Sequence, residues 1–114
     1  MNSREPTVTA EELSQDGARL ELLVPSGLVY FRGHFPGRPV LPGVVQLHWA
    51  VLLANRYLGK TGLFKGIRAL KFQRIIVPDQ SVELRLEYST ERRALSFSYS
   101  SDAGPHSSGR ILFQ

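Results

Sequence analysis

The sequence predicts an α+β domain, one long helix set against an antiparallel β-sheet, on three observations. A single stretch, Val44 to Leu58 (VVQLHWAVLLANRYL), is apolar nearly all the way round and stops at Gly59. The C-terminal half is a series of alternating runs separated by short turns. The chain of 114 residues has room for one core and is short for two. One helix followed by successive strands gives an α+β plan, because a sheet needs an apolar layer on at least one face.

Each element follows in order. Residues 1–16 are polar and read as a frayed start with one helical turn around Ala10 to Ser14. Ala18 to Val24 (ARLELLV) alternates and then turns apolar, which predicts a strand. Leu28 to Phe31 reads as a second short strand, or as a continuation of the first after the Pro25–Gly27 turn. Gly33 to Gly43 (GHFPGRPVLPG) holds three of the seven prolines and three of the ten glycines. Proline lacks the N–H and fixes φ, so this segment is a rigid irregular loop. Pro42–Gly43 then opens the helix, which Gly59 ends. Leu63 to Ile76 interleaves apolar and basic residues, and Pro78–Gln80 is a turn. Ser81 to Thr90 and Ala94 to Ser101 alternate about a turn at Glu91–Arg93. Asp102 to His106 reads as a turn, which places His106 outside any site, and Ser108 to Phe113 is the last strand. A single helix cannot cover both faces of such a sheet, so a dimer is expected.

Composition narrows the function classes. With 42% hydrophobic and 21% charged residues, the chain is neither disordered, collagen-like nor a coiled coil. No apolar run reaches the roughly 18 residues of a membrane span. The opening MNSREPTVTAEELSQ has no signal-peptide pattern, so a cytoplasmic location without membrane contact is expected. There is no cysteine, and His34, His48 and His106 lack HxxxH or HExxH spacing, so neither metal nor other cofactor is expected. Phosphate-loop, nucleophile-elbow and nucleic-acid-binding motifs are absent from the sequence.

The net charge of +4 is unevenly placed. Between Glu21 and Asp79 there is no carboxylate, while Arg32, Arg38, Arg56, Lys60, Lys65, Arg68, Lys71 and Arg74 all fall there. Such a window suggests an acidic partner or a site that tolerates no negative charge. A solvated basic surface with chance spacing is the plain alternative.

The segment Tyr30 to Trp49, YFRGHFPGRPVLPGVVQLHW, closely resembles the signature of the 3-hydroxyacyl-acyl-carrier-protein dehydratases of hot-dog fold. Gly33-His34-Phe35-Pro36 matches the family's loop, and Pro42-Gly43 its helix start. Leu70-Lys71-Phe72 with Val77-Pro78, and Ser108 to Ile111, resemble later strands, so the likeness covers about residues 18–113. The wording VLPGVVQLHWA is most similar to the dehydratase-like proteins of aryl-polyene-type gene clusters. The resemblance implies a hot-dog fold, one central helix wrapped by an antiparallel β-sheet. It also implies an acyl carrier protein with its phosphopantetheine-linked acyl chain as partner, and paired sites across a homodimer interface.

The chemistry of those residues fits dehydration. His34, held in a Pro- and Gly-stiffened loop, titrates near neutrality and suits proton abstraction. The first N–H groups of the helix, at Gly43 and Val44, lack intrahelical partners and sit at the positive end of its dipole, ready for a thioester oxygen. Phe35, Leu41, Gln46, Trp49 and Phe72 are candidate walls of an acyl tunnel, with ordinary core packing the alternative for each; Leu53 is in the same position. Arg38, Lys65, Arg68, Lys71 and Arg74 are candidates for carrier-protein docking.

One departure matters. The helix position five after Gly43, acidic in the family, is His48. Three readings stand. His48 acts as the acid, directly or through a water; His34 makes both proton transfers while His48 and Gln46 orient the hydroxyl or water; or the chain is a non-catalytic acyl-chain-binding subunit or a thioesterase-like relative. On helical spacing His48 shares a stripe with Val44, Val51, Leu52 and Asn55, where a buried core histidine is the competing reading.

Overall fold

The computed structural model describes residues 4–28, 31, 39–59 and 61–114. Six strands form one antiparallel sheet in the order β1-β2-β4-β5-β6-β3. They are β1 Thr7–Leu13, β2 Gly17–Leu23, β3 Phe64–Phe72, β4 Ser81–Ser89, β5 Ala94–Ser101 and β6 Gly104–Phe113, with α1 Gly43–Leu58 between β2 and β3. This is the expected hot-dog arrangement of one helix against a curled sheet.

The period-two alternation of β2, β4 and β5 points Leu20, Leu22, Leu84, Leu86, Leu95, Phe97 and Tyr99 inward, all buried. From the helix, Trp49, Ala50, Leu53 and Ala54 meet them and are fully buried. The helix crosses β2, β4 and β5, and its end is fixed by Gly59, whose φ of 62° a side chain would disfavour.

Three expectations need correction. Over Thr7–Leu13 the N-terminal segment is neither frayed nor helical but pairs with β2 as an edge strand. Its β-branched Thr7, Val8 and Thr9 favour that conformation. Residues before it are tied to the helix, since the Trp49 ring N–H donates to the Arg4 carbonyl at 2.9 Å and Arg56 pairs with Glu5 at 2.7 Å. Of the expected strand from Leu28 to Phe31, the two described residues, Leu28 and Phe31, lie in none of the six strands; Leu28 N–H bonds Pro25 O and Phe31 N–H bonds Leu28 O. The last hairpin turn is tighter than expected, so β6 begins at Gly104 and His106 lies in a strand, fully buried.

Strand β3 is one of the two edges of the sheet, and it carries a row of exposed apolar side chains. Its register with β6 shifts twice, between Phe64 and Gly66 and between Arg68 and Lys71, where Ala69 has φ 55°. The shifts reset the alternation. Phe64, Ile67 and Phe72 thereby oppose the inward-facing positions Phe113, Ile111 and Ser107, while Arg68 and Lys71 oppose the outward-facing Arg110 and Ser108. Phe64, Ile67, Leu70 and Phe72 stay 37–60% exposed.

Candidate functional site

The start of α1 is built without a cap. Pro42 occupies the N-cap position with no side-chain hydrogen bond, and the first turn has no acidic residue. Its carbonyl accepts from Val45 N–H at 3.1 Å and Gln46 N–H at 3.2 Å. The N–H groups of Gly43 and Val44 therefore remain at an uncompensated positive helix end. Phe72 lies against this point. A Cβ on Gly43 would come within 2.5 Å of the Phe72 ring, so only glycine permits the observed approach.

The peptide leading into the helix is held from both sides. Leu41 N–H donates to Ile76 O at 2.8 Å, and Leu41 O accepts from Gln46 Nε2 at 3.2 Å. Gln46 is 3% exposed, and its Oε1 accepts from Ser107 Oγ at 2.6 Å. The Tyr99 hydroxyl donates to the Gln46 carbonyl at 2.7 Å. Burial pushes the Tyr99 phenol well above its ordinary pKa.

Ile76 belongs to a segment that His106 anchors. The His106 carbonyl accepts from Gln73 and Arg74 N–H, and its Nδ1 lies 2.9 Å from Ile75 O. Since that carbonyl only accepts, Nδ1 carries the proton, and Nε2 accepts from Ser101 Oγ at 2.6 Å. This pair looks like a nucleophile and its base. However, Ser101 Oγ already accepts from Ala103 N–H and Gln80 Nε2, and the imidazole is fully buried. Its role is to fix the strand end.

The candidate residues fall into five groups. His34, Phe35 and Arg38 lie outside the described residues. Gly43, Val44 and Phe72 come together at the helix start. His48 is exposed, one turn after Val44 and on its stripe, so the buried-histidine alternative does not apply. Leu41, Gln46, Trp49 and Leu53 are buried at 3% or less, and Gln46 and Trp49 have their polar atoms engaged inside the protomer. Of the basic candidates, Lys65, Arg68, Lys71 and Arg74 are all exposed, and none forms an ion pair among the described residues.

Sequence reasoning missed Arg110, Ser107, Tyr99 and the strand position of His106. Arg110 stands directly across from Arg68 and joins the basic outer face. Gln46 carried a readable signal, because Gln46, Trp49, Ala50 and Leu53 follow the i, i+3, i+4, i+7 spacing of a buried face. Among the described residues no helix is long and apolar enough to cross a membrane, and no cluster of His, Cys, Asp and Glu is arranged to hold a metal ion.

Comparison with known proteins places this geometry in context. Residues 10–110 match the model of a family described as ApeI-like, ApeI dehydratase. A 3-hydroxyacyl-acyl-carrier-protein dehydratase, FabZ, from Chloroflexus aggregans is 35% identical over 82 residues, 66% of this chain and 57% of that protein. The chain thus spans about half the length of such curated relatives, as little as 45% in another case. Among solved structures, the dehydratase heterocomplex ApeI:P from Xenorhabdus doucetiae is 32% identical with a TM-score of 0.88, covering 95% of this chain and 96% of that one. An uncharacterized protein from Erwinia carotovora subsp. atroseptica is 34% identical with a TM-score of 0.80, covering 94% of both chains.

Proposed function

Since the chain belongs to the ApeI-like dehydratase family, we propose that it removes water from 3-hydroxyacyl thioesters on an acyl carrier protein, giving trans-2-enoyl thioesters. The observation that carries this reading is the uncapped, acid-free helix start at Gly43 and Val44, placed against Phe72.

In the proposed reaction His34 takes a proton from the carbon beside the thioester carbonyl. The Gly43 and Val44 N–H groups hold the carbonyl oxygen as it gains charge. The C–O bond at the next carbon then breaks, its electron pair leaves with the oxygen, and a proton delivered to that oxygen completes the water. His48, exposed one helical turn from Val44, is given the role of supplying that proton or orienting the water. Gln46 has both ends of its amide engaged and is given no contact with substrate. The carrier protein, acidic as a class, docks on the exposed bases Lys65, Arg68, Lys71 and Arg74, extended by Arg110.

A second hot-dog chain is proposed to cover the apolar β3 edge, as a homodimer. Two observations favour a second reading, in which this chain is a subunit paired with a different one. Arg68 and Lys71 of β3 have no acidic residue on their strand, so self-pairing of β3 brings like charges together. The family carboxylate is replaced by His48.

The test is turnover of a carrier-bound 3-hydroxyacyl or trans-2-enoyl substrate, with free-thiol release monitored to identify a thioesterase. Turnover by the protein alone, abolished in His34→Ala without unfolding, is expected. His48→Ala is expected to slow it; an unchanged rate removes His48 from the proton transfers. Activity that appears only with a partner chain selects the second reading, and no turnover from folded protein in either form ends the dehydratase proposal.

A further inference from the structure

We propose that Gln46 is a positioning residue, a buried clamp that sets where the helix N–H donors and Phe72 stand. The inference rests on the dehydratase reading for its consequence and on geometry for its existence. Gln46 is 3% exposed and uses its Nε2 to hold Leu41 O, at the peptide just before Pro42 and Gly43. Leu41 N–H is held by Ile76 O. With the two peptide groups that flank the Leu41 Cα each held, the backbone there has little freedom to rotate, so the turn that aims the Gly43 and Val44 N–H groups is fixed with it.

The clamp reaches both walls of the site. Through Ser107 Oγ, Gln46 is tied to β6 at the residue opposite Phe72, and Tyr99 holds its carbonyl from β5. On the other side, His106 anchors residues 73–75, which join Phe72 to Ile76, the acceptor for Leu41. One buried amide thus couples the donor end of the helix to the aromatic side chain that faces it. An apolar residue here would fill the volume and leave Leu41 O without its donor, and a buried unmet polar group moves toward any partner it can find.

The experiment compares Gln46→Met, close in volume, with Val82→Ala, a core substitution 1% exposed on β4, a strand that supplies no residue to the hydrogen-bonded cluster around Gln46. Q46M is expected to lower kcat at least tenfold with KM changed less than threefold, and to speed amide exchange at Leu41 at least tenfold. V82A is expected to lower the melting temperature while kcat stays within twofold. Adding Ser107→Ala to Q46M removes the hydroxyl left unpaired, so stability recovers in part and kcat does not. The inference is overturned if Q46M keeps the parental kcat, or if kcat simply follows melting temperature across the set. In the unaltered protein the Leu41 amide is expected to exchange as slowly as central strand amides, and fast exchange there overturns the clamp without any variant. If the unaltered protein turns over no substrate, the dehydratase reading fails while the exchange rates still decide the clamp.

Discussion

Replacing Gly43 by alanine separates packing at the helix start from chemistry there. The new Cβ would lie 2.5, 2.8 and 3.1 Å from three atoms of the Phe72 ring. Ordinary carbon contacts are about 3.5–4.0 Å, so the ring must retreat by roughly 1 Å. Phe72 is 53% exposed, which lets the ring move outward without compressing the core. The cost therefore falls near the low end of the overpacking range, about 1 kcal/mol. Alanine recovers part of that, up to about 1 kcal/mol, through its better helix propensity. Net stability is expected to change by no more than about 1 kcal/mol, read from urea unfolding midpoints. Turnover should respond far more, because the displaced ring and added methyl crowd the approach to the Gly43 and Val44 donors. A loss in kcat/KM of at least about tenfold, or 1.4 kcal/mol, is expected. Gly43→Ala combined with Phe72→Leu should restore part of it, since neighbours that share a contact are non-additive. A stability loss above about 3 kcal/mol means that Phe72 is pinned rather than yielding. Unchanged turnover refutes the placement of substrate at this helix end.

Three further outcomes are expected. His106→Ala removes a fully buried ring together with its bonds to Ile75 O and Ser101 Oγ, and should cost about 2–4 kcal/mol in denaturant unfolding; a loss below about 1 kcal/mol contradicts its anchoring role. Tyr99→Phe loses the bond to Gln46 O, worth about 1 kcal/mol. Burial raises the Tyr99 pKa, so the folded state holds its proton more tightly than the unfolded chain. That stability is fully present below the unfolded value of about pH 10 and is lost above it, and the variant should flatten this alkaline decline. Arg68→Glu, Lys71→Glu and Arg110→Glu together should weaken binding of an acyl carrier protein at low salt and much less at high salt, measured by titration calorimetry, with melting temperature nearly unchanged.

Much of the fold is legible in local pattern. The boundaries of α1 and of β5 follow from Pro42, Gly59 and a clean alternation, because backbone chemistry and burial period act there within a few residues. Residues 7–13 defeat local pattern because Glu11 and Glu12 lend a helical look to a segment whose conformation is decided by pairing with β2, a contact between separate segments of the chain. The place of His106 is hidden from local pattern because Gly104 and Pro105 announce a turn, whereas the register shift beside Tyr99 starts the strand early and turns the imidazole inward.

The site divides the same way. Gly43, Val44 and His48 were readable because a helix imposes fixed spacing on neighbours in sequence. The role of Phe72 was only partly readable: its contact with Gly43 joins residues 29 positions apart, and two β-bulges decide which way the ring faces. The acid-free window was visible as composition, but the sheet register alone shows that it splits into an apolar inner row and a basic outer row, and that Arg110 joins the latter.

By itself, then, the sequence determined the single central helix, the glycine at its start and the missing carboxylate at position 48, since each is a matter of residue identity and short-range geometry. Only the tertiary structure decided that Gln46 points into a closed hydrogen-bonded cluster, that His106 is a buried anchor and that β3 stands uncovered at the sheet edge. Those properties depend on which strands lie side by side, and strand order is set by packing between segments far apart in the chain.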